Sequence, residues 1–461
     1  MHYYIYPKGL IGQTVGQMIE YCKDFSDFNG VTYSFVDDFK EGITLKEQAE
    51  IIKQRVDSKE AKVVIALFQG IKETPERLKK LKNNLAKYGI LECLEAPFVE
   101  ELAKKVCIKA KDEVAVFAGG GHLVVGISIY GLGNEKHMGV VDYELFKLGV
   151  KVVYLNNTGQ KIKRTFNKEQ AVEVPLPMDY YKYLDCIKYI FSTASTYSRN
   201  DKQVFFVHHH SYSGLLESSA DGVLEYIKNI YNKNIDYLFL ANKKCTKASI
   251  EILKEIENPP ILLESGYAAF DVENTLEECA RDSVLVALHD FWEFLEIKEA
   301  VVELLEKGIN IVVRYRFGWG EAFLKEHILP LEIYKNCKII KDNDGYKEAV
   351  QRSFTLITSA SSLAYTFPLK TLCPAILYFK DKEKFKRNIC GIYFYDDNLH
   401  LKASNPKEIV ESILKIKEQN KSLWSDRILK HRQNEVFNYK KASIYMAQKM
   451  VEIIKEHNDI K

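Results

Sequence analysis

The stretch that decides the fold is Phe354–Tyr365, which reads FTLITSASSLAY. Its first residues are mostly β-branched or aromatic and predict a buried strand that ends at Thr358. A turn of small residues follows, and the apolar residues after the turn predict a helix. Strand, small-residue turn and helix in this order are typical of a Rossmann-like unit. The chain is therefore predicted to contain a parallel sheet flanked by helices.

The turn within this stretch is a candidate site for an anion. Backbone N–H groups at a helix start, together with the positive end of the helix dipole, bind phosphate without any charged side chain. Serine hydroxyls add donors, and small side chains let a diphosphate approach the backbone. We therefore predict diphosphate binding by Thr358, Ser359, Ser361 and Ser362. The alternative is a serine N-cap on an ordinary helix.

Outward from this stretch, short β-rich runs alternate with longer amphipathic stretches along the 461 residues. This alternation indicates an α/β fold with parallel sheets. Three blocks are predicted: a small Rossmann-like N-terminal domain (1–108), an acceptor-side domain (109–275) and a nucleotide-donor domain (276–461). The GT-B architecture consists of two Rossmann-like domains that face each other. A ligand is expected in the cleft between them, at the carboxyl ends of the strands.

The first block has the order strand, glycine turn, helix, strand and acid. Gly9 and Gly12 follow the first strand, and Asp37-Asp38 follows the second. The complete GxGxxG pattern of a dinucleotide site is absent, because Pro7 stands at the place of its first glycine. Two interpretations stay open: a structural module, and a nucleotide or sugar pocket.

Composition narrows the classes of function. Lys plus Arg (65) nearly equals Asp plus Glu (63), so no basic surface for nucleic acid is indicated. No run approaches the roughly 18 consecutive apolar residues of a membrane span, and the N-terminus lacks the features of a signal peptide. The nine cysteines have no close pairing, which favours reduced thiols over a zinc site. We expect a cytoplasmic protein without a metal or permanently bound cofactor.

Segments on both sides of the serine-rich turn resemble the CDP-glycerol glycerophosphotransferase family of teichoic-acid and capsule synthesis. Ser361 and Ser362 fall on the paired serines of that family, and Pro374 falls on its proline before the next strand. Upstream, Gly266-Tyr267 followed by Asp271 is similar to its Gly-Tyr/Asn-Pro-x-x-Asp segment. The chain departs from the family at the turn itself, where Ser359 and Ala360 replace an aspartate and a tyrosine.

Two arginines stand where the family has His-Pro. Arg314 and Arg316 alternate along the end of a predicted strand, so both side chains point to one side and can pair with phosphate. An ion pair at the surface or between domains is the alternative. We predict that both arginines bind the nucleotide diphosphate.

Three histidines follow the predicted strand that ends at Val207. Transfer to a hydroxyl group needs a base that removes its proton, and imidazole has a suitable pKa near neutrality. The resembling family carries a catalytic His-Gly at this place, which implies a catalytic role for His209 or His210, with His208 lining the cleft. The alternatives are a bound metal and a hydrogen bond that holds a loop.

Two weaker candidates complete the predicted cleft. Gly120 lies in a glycine run after Glu113–Ala118, which we expect to be a strand, and could admit an acceptor; a plain tight turn is the alternative. Asp290 follows the predicted strand Val284–Leu288 and is expected to face the same cleft.

Three functions are consistent with these residues. The resemblance implies transfer of a glycerol-phosphate or related unit from a CDP-linked donor to a hydroxyl of a surface-polysaccharide precursor. A GT-B glycosyltransferase that uses a nucleotide sugar is the second hypothesis, and a non-catalytic nucleotide-sugar-binding scaffold is the third. The expected partners are the nucleotide-activated donor and a glycan or lipid-linked acceptor. The resemblance also implies peripheral contact with the inner membrane face.

Overall fold

The fold is built around three parallel β-sheets. A computed structural model describes residues 1–67, 74–119, 122–129, 135–162, 171–193, 202–207, 235–272, 280–316, 318–342, 344–386, 388–389, 392–419 and 421–459. In this part of the chain the three sheets have three, seven and six strands and follow one another in sequence order. The α/β class predicted from the sequence, with a small sheet before two larger ones, is confirmed.

The first sheet has the strand order β2-β1-β3. Its strands are β1 His2–Tyr6, β2 Thr32–Phe35 and β3 Ala61–Ile65, and its helices are α1 Leu10–Tyr21, α2 Leu45–Asp57, α3 Thr74–Ala86 and α4 Ala96–Ala118. A Cβ on Gly12 would lie 2.3 Å from the carbonyl oxygen of Pro7, so only glycine fits where α1 passes the first turn. The carboxylate of Asp38 accepts a 2.6 Å hydrogen bond from the hydroxyl of Tyr6.

The expectation of a strand at Glu113–Ala118 is wrong, because these residues form the last turns of α4. Apolar residues recur along α4 at helical spacing and are buried, from Val99 to Val114. The helix ends at Gly119, whose φ of 60° is the left-handed conformation typical of a glycine after a helix. The helix runs through residue 108, where the first block was expected to end.

The second sheet has the order β10-β9-β8-β7-β4-β5-β6. Its strands are β4 Val124–Ile129, β5 Lys151–Asn156, β6 Ala171–Pro175, β7 Tyr189–Ser192, β8 Gln203–Val207, β9 Tyr237–Leu240 and β10 Ile261–Glu264. The helices α5 Glu135–Met138, α6 Val141–Lys147 and α7 Lys243–Leu253 connect or cover them. After β4 the chain first adds β5 and β6 on one side of it and then β7 to β10 on the other side. The topological switch point therefore lies at the carboxyl end of β4.

The third sheet has the order β13-β12-β11-β14-β15-β18. Its strands are β11 Ser283–Val286, β12 Asn310–Tyr315, β13 Cys337–Lys341, β14 Ser353–Thr358, β15 Ala375–Tyr378 and β18 His400–Ala403, and the short pair β16 Asn388–Ile389 and β17 Ile392–Tyr393 lies outside it. The helices are α8 Phe291–Glu306, α9 Tyr346–Arg352, α10 Leu363–Thr371 and α11 Pro406–Glu418. Short helical turns cover residues 321–333.

The last helices, α12 Lys421–Glu435 and α13 Ala442–Asp459, join the two large sheets. Residues of α13 such as Met446 and Ile454 are buried in the core of the second sheet. The carboxylate of Asp271 accepts hydrogen bonds from the N–H groups of Ala442 (3.2 Å) and Ser443 (2.5 Å), which caps the start of α13. None of the helices in the described ranges is long and apolar enough to cross a bilayer.

Candidate active site at the edge of the third sheet

The serine turn, Thr358–Ser362, lies at the carboxyl end of β14, where the sequence places it. The hydroxyl of Thr358 donates a 2.7 Å hydrogen bond to the carbonyl oxygen of Ala287 and lies 3.2 Å from the hydroxyl of Ser361. Thr358 and Ser359 are fully buried, whereas Ser361 is 9% exposed. These contacts fix the shape of the turn and leave little freedom to the side chains of Thr358 and Ser359.

The start of α10 offers hydrogen-bond donors that no other group in the described part of the chain uses. The carbonyl oxygens of Ser361 and Ser362 accept the first hydrogen bonds of the helix, from Ala364 at 3.0 Å and Thr366 at 2.9 Å. Within the described chain, the N–H groups of Ser361, Ser362 and Leu363 and the hydroxyl of Ser362 have no hydrogen-bond partner. Because these donors lie at the positive end of the helix dipole, they form a ready site for an anion.

Glu293 holds the serine turn against the neighbouring loop. Its Oε2 accepts a 2.7 Å hydrogen bond from the hydroxyl of Ser359 and bonds of 3.1 Å from the N–H groups of His289 and Asp290. Asp290 is the N-cap of α8 and forms a capping box with Glu293. Sequence reasoning missed Glu293, although its position three residues after Asp290 is the signature of a capping box.

A cavity of about 570 Å³ lies beside this loop. Its wall includes Asp290, Trp292, Glu293, Tyr378 and Lys380. Trp292 is 63% exposed. The carboxylate of Glu293 thus lies between the serine turn and a cavity large enough for a small ligand.

Strand register places Arg314 at the level of the serine turn. Val286 pairs with Val313 on one side and with Ile357 on the other, so the next residues, Ala287, Arg314 and Thr358, share one level. Neighbouring strands lie about 4.8 Å apart, so the backbones of Arg314 and Thr358 are about 10 Å apart. The predicted arginine pair and the serine turn therefore share one edge of the third sheet.

The two arginines differ in how firmly they are held. The Nε of Arg314 donates a 2.6 Å hydrogen bond to the carbonyl oxygen of Asp342, and its guanidinium lies 4.7 Å from the ring centre of Tyr346. Burial lowers the pKa of Arg314 from its usual value. Arg316 is exposed and forms no ion pair with any described residue. Arg314 is thus fixed at the sheet edge and Arg316 reaches into solvent.

Lys136 and Asn157 of the second sheet are features that the sequence did not reveal. Burial first, and then the charges of Arg314, Lys370 and Arg316, lower the pKa of Lys136. Asn157 follows β5 beside the end of β4, is 1% exposed, and its carboxamide has no hydrogen-bond partner among the described residues. A buried polar group without a partner costs about 1–3 kcal/mol, which a ligand or an ordered water would recover.

The three predicted histidines, His208, His209 and His210, lie outside the described residues, as does Gly120. Strand β8, which they follow, ends at Val207 as the sequence predicts. Its carboxyl end is part of the second sheet. The catalytic role of His209 or His210 therefore stays a prediction, whereas the strand that precedes these histidines is confirmed.

A buried polar cluster of Lys244, Tyr365, Asp396, His400 and His431 connects α7 of the second sheet with α10. The Nζ of Lys244 lies 3.3 Å from the hydroxyl of Tyr365 and 3.5 Å from the Asp396 carboxylate. His400 donates from Nε2 to the carbonyl oxygen of Ala364 at 2.8 Å and accepts at Nδ1 from the N–H of Asp396 at 3.0 Å. This cluster fixes α10, and with it the serine turn, relative to the second sheet.

Comparison with known structures shows what this fold is similar to. The wall teichoic acid polymerase TagF matches with a TM-score of 0.53 and 17% identity, covering 84% of this chain and 98% of that chain. A TagF variant soaked with CDPG matches with a TM-score of 0.52 and 16% identity, covering 85% and 100%. A putative UDP-N-acetylglucosamine 2-epimerase from Listeria monocytogenes matches with 0.51 and 13%, covering 74% and 98%.

No protein-family model and no curated protein sequence matches the chain. At these identities the structural matches establish the fold, which is the predicted GT-B-like pair of Rossmann-like domains with a preceding small domain. The resemblance to the CDP-glycerol glycerophosphotransferase family, drawn from the serine turn and its surroundings, is confirmed at the level of the fold. Among the described residues, no group of His, Cys, Asp and Glu side chains could hold a metal ion.

Proposed function

We propose that this chain is a transferase that moves a glycerol-phosphate or related phospho-alcohol unit from a CDP-linked donor to a hydroxyl of a surface-polysaccharide precursor. One observation carries the proposal: N–H groups at the start of α10 that have no partner within the described ranges share a sheet edge with Arg314 and Arg316. Donors at a helix start together with guanidinium groups suit a pyrophosphate, whose charge grows on the leaving group during transfer. The similarity of the fold to TagF, including a form soaked with CDPG, supports this choice of donor.

The proposed reaction is a displacement at the β-phosphorus of the donor. The acceptor oxygen forms a bond to this phosphorus, the bond from phosphorus to the bridging oxygen breaks, and CMP leaves with that oxygen. The imidazole of His209 or His210 takes the proton of the acceptor hydroxyl. The N–H groups of Ser361, Ser362 and Leu363 and the guanidinium groups of Arg314 and Arg316 stabilise the charge on CMP.

The nucleoside half of the donor is proposed to lie in the cavity beside the serine turn. A volume of about 570 Å³ falls in the usual range of small-molecule sites. The exposed ring of Trp292 can stack on a base, and the carboxylates of Asp290 and Glu296 can accept hydrogen bonds from ribose hydroxyls. Glu293 lines this cavity and accepts a hydrogen bond from the hydroxyl of Ser359, so the cavity and the serine turn lie side by side.

A second candidate is transfer of a sugar from a nucleotide sugar. The observation that favours it is the position of Asp290 on the wall of the cavity, where a carboxylate can bind sugar hydroxyls. Attack would then fall on the anomeric carbon, and the nucleoside diphosphate would leave intact. The similar fold of a putative UDP-N-acetylglucosamine 2-epimerase is consistent with this version.

The two candidate functions are tested first by nucleotide binding and then by identification of the leaving group that the reaction releases. Thermal shift and calorimetry with CDP, UDP and GDP identify the base, and chromatography of reactions with CDP-glycerol and UDP-sugars identifies the product. Release of CMP supports the first function, and release of UDP supports the second. Binding without release of either product from any acceptor indicates a scaffold, and a protein that binds no nucleotide contradicts all three. A lipid-linked acceptor in the productive reaction would place the enzyme at the inner membrane face.

A further inference from the structure

A cavity of about 760 Å³ opens beside β3 of the first sheet. One wall is the strand itself, at Ala61 and Lys62, and another wall is the segment from Leu91 to Leu94. The last turns of α2 and α3 contribute Val56, Lys82, Asn83, Leu85 and Ala86. Met1 also lines the cavity, which therefore lies near the amino ends of β1 and β3. It is separate from the nucleotide or sugar pocket considered for the first block, which belongs at the carboxyl ends of the strands.

The strand β3 lies at an edge of the sheet, and its outer edge is paired along only part of its length. The N–H of Ala66 donates a 2.9 Å hydrogen bond to Tyr6, so the even-numbered residues of β3 bond to β1 and the odd-numbered ones face outward. On the outer edge, Leu94 donates a 2.7 Å hydrogen bond to the carbonyl oxygen of Val63 and accepts one of 2.8 Å from Ile65. A single residue thus continues the parallel sheet beside the second half of β3.

This pairing stops where the cavity begins. Among the described residues, the N–H of Val63 and the carbonyl oxygen of Ala61 have no hydrogen-bond partner, although the two residues are only 1% and 2% exposed. Buried backbone groups are almost always paired. One more residue of a parallel extended chain would donate to Ala61 and accept from Val63, as Leu94 does two residues further along. The outer edge therefore offers a donor and an acceptor in the spacing that an added strand needs.

The rim of this cavity favours an acidic occupant. Lys59 and Lys62 line it, are exposed and form no ion pair within the described ranges. Lys82 is paired with Glu95. Lysine on an edge strand opposes pairing with a second copy of the same strand, because like charges would lie side by side. Carboxylates of an incoming chain would instead be attracted to the two unpaired lysines.

We propose that the outer edge of β3 binds an extended acidic segment of a partner protein, which continues the sheet beside Ala61 and Val63. Main-chain hydrogen bonds supply the affinity in this mode of recognition, and a pocket for alternate side chains supplies the specificity. The cavity between β3 and the segment from Leu91 to Leu94 is of a size that can take such side chains. The inference does not depend on the proposed function, because it uses no residue of the third sheet.

Fluorescence anisotropy with a pool of acetylated hexapeptides, in which glutamate alternates with valine, leucine or isoleucine, tests the inference. We expect the pool to bind the wild type, and N-methylation of its backbone or exchange of glutamate for lysine to abolish binding. Lys62→Glu should weaken binding about tenfold. Lys79→Glu, at an exposed position of α3 outside the cavity, should leave it unchanged. Hydrogen exchange at the amide of Val63 should slow when the pool binds.

Four results overturn the inference. Absence of binding by the acidic pool, or equal binding of its N-methylated form, contradicts the addition of a strand. Equal affinities of Lys62→Glu and Lys79→Glu contradict selection by charge. Dimerisation of the wild type in sedimentation, if the peptide pool displaces it, assigns the edge to a second copy of the chain. None of these measurements uses a nucleotide, so their outcome and that of the proposed function can be told apart.

Discussion

The hydroxyl of Ser359 donates a 2.7 Å hydrogen bond to Oε2 of Glu293, and this bond joins two loops of the third sheet. One loop is the serine turn and the other begins α8. The same oxygen accepts the N–H groups of His289 and Asp290 at 3.1 Å. The shape of the proposed anion site therefore depends on a residue that would not itself touch the diphosphate.

Glu293→Gln tests this dependence. The amide cannot accept all three hydrogen bonds with the strength of a carboxylate, so we expect a loss of about 1–2 kcal/mol in the free energy of unfolding. CDP binding should weaken severalfold as the turn loosens. Glu299→Gln, at an exposed position of the same helix, is the matched control for urea denaturation and calorimetry. Equal stability of the two variants would contradict the role of Glu293.

Ser362→Asp separates helix stability from anion binding. A carboxylate at a helix start is stabilising by about 0.3–1 kcal/mol, so the melting temperature should stay or rise. The same negative charge repels a diphosphate, so CDP affinity should fall tenfold or more. Ser362→Ala, which removes only the hydroxyl, should have a small effect on both. Retained CDP binding in Ser362→Asp would show that the anion does not lie at the start of α10.

His209→Ala and His210→Ala test the predicted base. Loss of a general base lowers turnover by about 10²–10⁴-fold, and we expect this for one of the two histidines. CDP affinity should be unchanged, because the ligands proposed for the donor diphosphate in the serine turn and the arginine pair belong to the third sheet. The measurement is CMP release at saturating donor. If both variants retain wild-type turnover, the base is another residue.

His400 should make stability depend on pH. Burial lowers its pKa from 6.5 to about 3, against the opposing effect of Asp396 and together with the charges of Lys244 and His431. In the unfolded chain the imidazole binds a proton below about pH 6.5, whereas the folded protein resists this until about pH 3. Stability present above pH 6.5 is therefore lost on acidification, by about 1.5 kcal/mol between pH 6.5 and 5.

Urea denaturation of the wild type and of His400→Gln across this range measures the effect. The glutamine cannot titrate, so its stability should change less with pH even if it is lower overall. Burial also lowers the pKa of His431, and a smaller slope of the same sign should remain. Identical slopes for both proteins would exclude His400 as the source.

Gly266→Ala tests the junction between the two large sheets. Gly266 has a φ of 95°, and a Cβ there would lie 2.3 Å from the carbonyl oxygen of Phe437. Gly308 is the matched control, because it has a φ of 75° and no atom lies within 4 Å of the position of a Cβ. Gly308→Ala therefore measures the cost of the left-handed backbone alone, a loss of about 1–2 kcal/mol in the free energy of unfolding. We expect Gly266→Ala to lose about 1–3 kcal/mol more. Equal losses would mean that the junction tolerates a side chain.

The local pattern was sufficient to predict several elements. β14, the serine turn and the start of α10 lie where the residues from Phe354 onwards place them, because strand propensity and small turn residues act over a few positions. The strand before the three histidines was also correct. Glu113–Ala118 is the exception, since its β-branched and aromatic residues favour a strand locally while the burial pattern of the whole segment is helical. Only a longer window, from Val99 to Val114, shows the helical spacing of the buried apolar residues.

The sequence by itself determined the class of fold and the place of the serine turn between β14 and α10, whereas diphosphate binding by this turn, Arg314 and Arg316 stays a prediction. These properties depend on backbone conformation and on residues close together in the chain. Tertiary structure alone decided that Glu293 holds Ser359 and that Arg314 shares a level with Thr358. Such contacts join residues tens of positions apart, and their existence follows from strand order and register, which no local pattern encodes.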